Sequence, residues 1–201
     1  MSPMALEPIA VSALPGTWRV EAVDHPAMPL WLAVGEDAGG ELLLAVSLGE
    51  RAYLEGRARR ARARLQEGSG SQAAAQLGEY LAGTRKAFDL RVALDPRASD
   101  FEREAWLALC KIPFGEVRSY GQQAKMLGKP GAARAVGRAN SRNPIPIVVP
   151  CHRIIGSDGS LTGFAGGLPR KRWLLTHEGA ADSLRDTAAL PAPPNQLGLG
   201  F

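Results

Sequence analysis

The sequence predicts an α+β protein in two parts: a small sheet-and-helix half, then a helical half carrying a helix-turn-helix. Three observations carry this. Residues 17–46 hold three strand-like runs separated by turn signals, two Ser-led capping boxes open short helices beyond residue 98, and the character of the chain changes at Asp95-Pro96. With 201 residues, 45% of them hydrophobic and 22% charged, the chain can bury a sizeable core. The expected divisions are residues 1–94, residues 95–180, and a tail over residues 181–201.

In the first half, Thr17–Val23, Leu30–Val34 and Glu41–Val46 read as strands, with Gly39-Gly40 marking a hairpin. The run from Glu50 to Gly68 reads as one helix, residues 69–71 as a linker, residues 72–83 as a shorter helix and Phe88–Leu94 as a strand. No catalytic cluster is visible there.

In the second half, Ser99 and Glu102 form a capping box for a helix whose face is Phe101, Ala105, Trp106 and Leu109, broken at Ile112–Gly115. Ser119 and Gln122 open the next helix, which runs to about Leu127. After the turn Gly128–Gly131, the stretch AARAVGRAN is helical again, and the pair is a helix-turn-helix candidate. Ile145–Val149 reads as a buried strand stopped by Pro150. A turn at Gly156–Gly159 and a glycine-rich segment at Thr162–Gly167 follow. Pro169 then suits the first turn of a last helix with Trp173, Leu174 and Leu175 on its apolar face, ended by Gly179. The proline-rich tail is expected to be disordered.

Residues 101–180 carry twelve Lys/Arg and five Asp/Glu, a net +7 within a chain of net +4. A basic half beside a slightly acidic one suits a polyanionic partner, although a merely solvated basic face would look the same. The apolar runs are too short to cross a bilayer, and the start MSPMALEPIA lacks a secretory pattern, so a cytoplasmic protein is expected; a monomer is expected as well. The two cysteines, Cys110 and Cys151, fit a reducing compartment. With three histidines they show no zinc-site spacing, and no metal or cofactor is expected.

The chemistry concentrates in NPIPIVVPCHRIIG, residues 143–156, which sets a thiol, an imidazole and a guanidinium at the end of an apolar run. A cysteine reacts as its thiolate and needs a base or a cation nearby, and the base needs a third group to orient it. Glu178 closes the last helix, where the helix dipole disfavours a carboxylate by a few tenths to about 1 kcal/mol. A residue placed against that preference suggests a partner, making Cys151, His152 and Glu178 a relay candidate. A packed, inert cysteine and a solvated Glu178 fit the residues equally well. His177 would face elsewhere and is taken as structural or exposed.

NPIPIVVPCHRIIG, with IPFGEVRSYGQQAKMLGKPGAARAVGRAN upstream and LTGFAGGLPRKRWLLTHEG downstream, resembles the O6-alkylguanine-DNA alkyltransferases, the methylated-DNA–protein-cysteine methyltransferases of direct DNA repair. The likeness covers about residues 77–179. It implies a ribonuclease-H-like first domain, a winged-helix-like second domain, and double-stranded DNA containing O6-alkylguanine as partner, with cooperative binding open. It implies Cys151 as irreversible alkyl acceptor, His152 as base through a water, Glu178 orienting it, Tyr120 as proton donor to the departing guanine, and Asn143 fixing the cysteine strand. Val149 would accept from the guanine amine, and Phe164, Ala165 and Gly166 would line the pocket, Phe164 standing where tyrosine is common. Arg134 would fill the gap left by a flipped base. Ala135 and Gly137 would let the helix lie close to the minor groove, with Arg138, Arg142, Lys125 and Lys129 on phosphates. Arg153 is expected to bridge the two domains. O4-alkylthymine is a further expected substrate. The zinc ligands of some relatives are not visible. Competing readings are a lesion-recognition module without transfer, a Cys-His-Glu hydrolase, and a transcription factor with an incidental cysteine.

Overall fold

A computed structural model describes residues 7–10 and 13–185, divided into two compact units, Met1–Ala98 and Ser99–Phe201. The linker stays with the first unit because Asp95 is held there by Arg57 at 2.9 Å and by Arg97 at 2.9 Å and 3.0 Å.

The first unit is a six-stranded mixed sheet in the order β1-β6-β4-β3-β2-β5. Strands β2 (Thr17–Val23), β3 (Leu30–Asp37) and β4 (Gly40–Ser47) form the antiparallel meander expected from the sequence. Strand β6 (Arg91–Leu94) joins β4 in parallel, starting later than Phe88. Two edge strands lay outside the sequence reading. β1 (Glu7–Ala10) is short and holds Pro8, which an edge tolerates. β5 (Arg64–Glu67) replaces the end of the long helix expected over residues 50–68.

That helix, α1 (Arg51–Ala61), stops because Arg62 turns left-handed at φ 57°, and the Ala63 N–H closes back on the Ala58 carbonyl at 2.9 Å. No Gly or Pro marks the break. Leu54 and Ala58 of α1 pack on Trp18, Val20, Leu42 and Leu44 of the sheet. Strand alternation sends Glu21 to the other face, where it accepts from the backbone N–H and hydroxyl of Ser71, the N-cap of α2 (Gln72–Leu81). A carboxylate at a helix N-terminus is favourably placed.

In the second unit, α3 (Asp100–Leu109) and α4 (Tyr120–Met126) each begin with the expected capping box, complete in both directions. Helix α5 (Ala133–Ser141) follows the turn. Gln123 of α4 and Asn140 of α5 exchange amide hydrogen bonds in the buried centre, at 3.3 Å and 2.8 Å, and Trp106 of α3 donates to the Ala139 carbonyl at 2.9 Å. These bonds fix the mutual tilt of the three helices.

Strand β7 (Arg118–Ser119) pairs with β8 (Ile154–Ile155), and α6 (Leu168–His177) closes the unit. The tail begins later than expected. Residues 181–185 are ordered by a short 3-10 turn, by Leu184 packed with Ile155, Leu175 and Ala180, and by the Arg185 N–H on the Gly159 carbonyl. The rest of the expected tail lies outside the described residues.

Candidate active site and nucleic-acid interface

The apolar run before the cysteine is not a strand. Residues 143–150 form a buried irregular loop, in which Ile147 sits at φ 74°, a costly conformation for a β-branched residue. Asn143 stitches the loop: its Oδ1 accepts from the Ile145 N–H at 3.0 Å and its Nδ2 donates to the Val149 carbonyl at 2.7 Å. That carbonyl also accepts from the Cys151 N–H at 2.8 Å across Pro150, whose φ −83° and ψ 65° make an inverse γ-turn. The Val149 oxygen, expected to accept from a guanine amine, thus takes two hydrogen bonds from within the unit.

Cys151 opens a single 3-10 turn over Cys151–Arg153 and is 8% exposed. His152 is wholly buried, and its Nε2 meets Glu178 Oε1 at 2.9 Å. Arg153 donates through Nε and Nη2 to the same carboxylate at 2.8 Å and 2.9 Å, and through Nη1 to the Ile112 carbonyl. Arg153, expected to bridge the two domains, makes these hydrogen bonds inside the second unit. The Gly115 N–H also points at Glu178, and a side chain at Gly115 would lie 2.8 Å from the Glu178 backbone oxygen. Only glycine, at φ 79°, fits there.

These contacts set the protonation states. Burial raises the Glu178 pKa, but hydrogen bonds from His152 and Arg153 and the Arg153 charge outweigh it, leaving a carboxylate far below its ordinary range. Burial lowers the pKa of His152 against the pull of Glu178, so the ring rests neutral. With Nε2 turned to Glu178, Nδ1 is its second polar atom and has no partner among the described protein groups. Burial raises the Cys151 pKa, opposed by a hydrogen bond from Asn143 and the charge of Lys171. The resting cysteine is a guarded thiol, where the sequence had suggested a group kept ionisable by its neighbours.

Lys171 was missed. It is fully buried in the first turn of α6, donating to the carbonyls of Ile154 and Thr162 (2.6 Å to the latter). Burial pushes its pKa down to about 8, opposed by the charge of Cys151. The signal was available: Lys171, Leu174, Leu175 and Glu178 share one helical face at i, i+3, i+4, i+7, and all four are buried. Trp173, expected on that face, is half-buried and stacked on His177 at 4.8 Å.

The Tyr120 hydroxyl donates to the carbonyls of Thr162 at 3.1 Å and Gly163 at 3.2 Å, so it shares the Thr162 oxygen with Lys171. Burial raises its pKa, which keeps it protonated. Gly137 on α5 lies against the Tyr120 ring, where a Cβ would be 3.4 Å away. Phe164 and Gly166 in the segment Thr162–Gly167 are half-buried and Ala165 is exposed. Arg170 donates to the Gly166 carbonyl at 3.1 Å.

Helix α5 turns Arg134, Ala135 and Arg138 outward and buries Val136, Ala139 and Asn140. Arg134, Arg138 and Lys125 have no ion pair among the described residues. Two other cations expected to face phosphate are engaged inside the protein: Lys129 with Glu104 at 2.6 Å and Arg142 with Glu102 at 2.7 Å.

A buried thiol next in sequence to a buried His–Glu pair, in one unit with a helix-turn-helix whose outer face is small and basic, narrows the class. A protein-family model described as the DNA-binding domain of 6-O-methylguanine DNA methyltransferase matches residues 100–180. A methylated-DNA–protein-cysteine methyltransferase of Mycolicibacterium paratuberculosis is 59% identical over 103 residues, 51% of this chain and 61% of that protein. The Mycobacterium bovis protein of the same description is 47% identical over 156 residues, 78% of this chain and 89% of its own length. The crystal structure of Mycobacterium tuberculosis O6-methylguanine methyltransferase superposes with a TM-score of 0.67 at 42% identity, covering 85% of this chain and 96% of that one. A second M. tuberculosis structure, in complex with DNA, gives 0.66 at 40% identity, covering 84% and 94%. The chain belongs to the methylated-DNA–protein-cysteine methyltransferase family. Among the described residues no helix is long and apolar enough to cross a membrane.

Proposed function

We propose that this chain repairs DNA by direct reversal, moving the alkyl group of O6-alkylguanine, and of O4-alkylthymine, irreversibly onto Cys151. The observation that carries this reading is the thiol itself: buried, and next to a neutral histidine whose far nitrogen is anchored on a buried carboxylate. General nucleophilic chemistry on large substrates needs an accessible thiol, whereas a guarded one suits a small group presented in a pocket.

The target carbon is out of reach inside a base stack, so the nucleotide must be swung out of the duplex. Arg134 fills the gap, a role its exposure on α5 supports, while Ala135 and Gly137 let the helix approach the sugar-phosphate wall. Arg138 and Lys125 suit phosphate contacts. In the pocket, His152 Nδ1 takes the thiol proton through a water, Glu178 stabilises the imidazolium, and Lys171 offsets the thiolate charge. The sulfur attacks the alkyl carbon, the C–O6 bond breaks, and its electron pair stays on the guanine. Tyr120 gives that guanine a proton. A thioether remains on Cys151 with no route back, so each molecule acts once.

Excess duplex carrying O6-methylguanine tests this by stoichiometry. Repair should plateau at one lesion per protein, whereas continued turnover would point to a hydrolase-like cycle. Arg134→Ala should slow duplex repair about tenfold or more, since unstacking costs a few kcal/mol, and leave reaction with free O6-benzylguanine unchanged. Equal losses on both substrates would remove Arg134 from the flipping role.

A further inference from the structure

The first unit pairs its arginines with carboxylates, with one local exception. Arg19, Arg51, Arg57, Arg85, Arg91 and Arg97 each form an ion pair. Arg59, Arg60, Arg62 and Arg64 do not. All four are exposed, and none has an ion pair or a side-chain hydrogen bond among the described residues. The acidic residues that flank this run in sequence, Glu55 and Glu67, are both taken by Arg51, at 3.1 Å and 2.5 Å.

The four span the last turn of α1, its left-handed C-cap and the first residue of the edge strand β5. Cations at a helix C-terminus complement its dipole, which accounts for Arg59 and Arg60. It does not account for Arg62 and Arg64, which lie beyond the helix. Arg62 also holds φ 57°, where glycine is the unstrained choice. An arginine there gives up backbone ease for a charge that no described protein group pairs with. The second unit treats its cations alike: Arg134, Arg138 and Lys125 are exposed without ion pairs, whereas Lys129 and Arg142 are paired.

We propose that Arg59, Arg60, Arg62 and Arg64 form a second nucleic-acid contact, binding the phosphate backbone of duplex DNA without regard to sequence or lesion. The proposal rests on the reading of this chain as a DNA-acting protein and adds to it a surface on the first unit. Such a patch would hold the protein on undamaged DNA during search, through counterion release.

The test uses the full chain with Arg59→Gln/Arg60→Gln/Arg64→Gln as one variant and Arg62→Gly as another, each titrated with a long undamaged duplex over a salt series. The triple variant should lower the salt slope of log affinity by roughly 2 to 3, at about 0.9 per lost phosphate contact, while transfer from free O6-benzylguanine is unchanged. Arg62→Gly should bind duplex a few-fold more weakly with Tm unchanged or raised. An unaltered slope in the triple variant would overturn the proposal, as would an affinity loss confined to single-stranded RNA or to an acidic protein. Failure of the wild type to bind duplex at all would overturn the DNA reading, and this proposal with it. Duplex binding by the wild type with no change in the variants would overturn this proposal alone.

Discussion

The two units bury different kinds of group, and the difference separates scaffold from machine. Beneath α1 the first unit buries an apolar layer, Trp18, Val20, Leu42 and Leu44, and most of its charges pair at or near the surface. The second unit encloses His152, Arg153, Lys171 and Glu178. Removing a partner from such a buried ionic group is costly, and its retention makes sense where chemistry needs fixed charges. The same unit holds Ile147 in a left-handed conformation in the loop that leads to Cys151. The first unit buries charge as well, in Glu21 and the Arg57–Asp95 pair, but around Cys151 four buried ionisable side chains stand together with a buried strained residue.

The comparison is broken most severely at Glu178. Glu178→Gln keeps the shape but leaves Arg153 without its counterion and His152 without its anchor. It should lower alkyl transfer by about 10²–10⁴, the range of general acid–base effects, and cost about 3–5 kcal/mol as a broken buried pair. Single-turnover rates and denaturant melts measure the two losses, and a variant with wild-type transfer would remove Glu178 from the relay. Trp18→Ala supplies the counterpart in the first unit. It should cost about 3–5 kcal/mol of stability while the folded fraction transfers benzyl from free O6-benzylguanine at the wild-type rate. A slowed rate in the folded fraction would show that the apolar core is not mere scaffold.

Lys171→Met removes the countercharge nearest the thiolate by electrostatics. The Cys151 pKa should rise further and transfer at neutral pH fall by about tenfold or more, read from thiol-alkylation rates against pH. An unshifted profile would leave Lys171 a packing residue. The smallest effect is on acid stability. His152 has a folded pKa held below 6.5 by burial, so the unfolded chain takes up the proton first. The stability this confers is present above pH 6.5 and is lost as pH falls below it, at about 1.4 kcal/mol per unit for one group. Glu178, also depressed, adds to the loss below its ordinary value of 4.5. Hydrogen exchange should show the second unit opening first on acidification; uniform loss across both units would contradict the contrast.

Much of the helical half was legible. The capping boxes at Ser99 and Ser119, the turn between α4 and α5, and the link between His152 and Glu178 follow from local chemistry that the structure realises. Periodicity failed where tertiary contacts decide. Ile145–Val149 has the composition of a strand, yet Asn143 captures its backbone and bends it into a loop. The Arg/Ala alternation after Arg59 gives no helix stop, because the stop is a left-handed arginine. Lys171 was hidden by the ordinary expectation that lysine is solvated, although its spacing from Leu174, Leu175 and Glu178 placed it on the inner face.

The account stands on Cys151 as the acceptor. Intact-protein mass after incubation with duplex DNA holding one O6-methylguanine, followed by peptide mapping, tests it most directly. A gain of one methyl group per protein, confined to the peptide of Cys151 and never exceeding one equivalent, is the result predicted here. Tight lesion binding with no gain in mass, or a methyl found on Cys110, would contradict it.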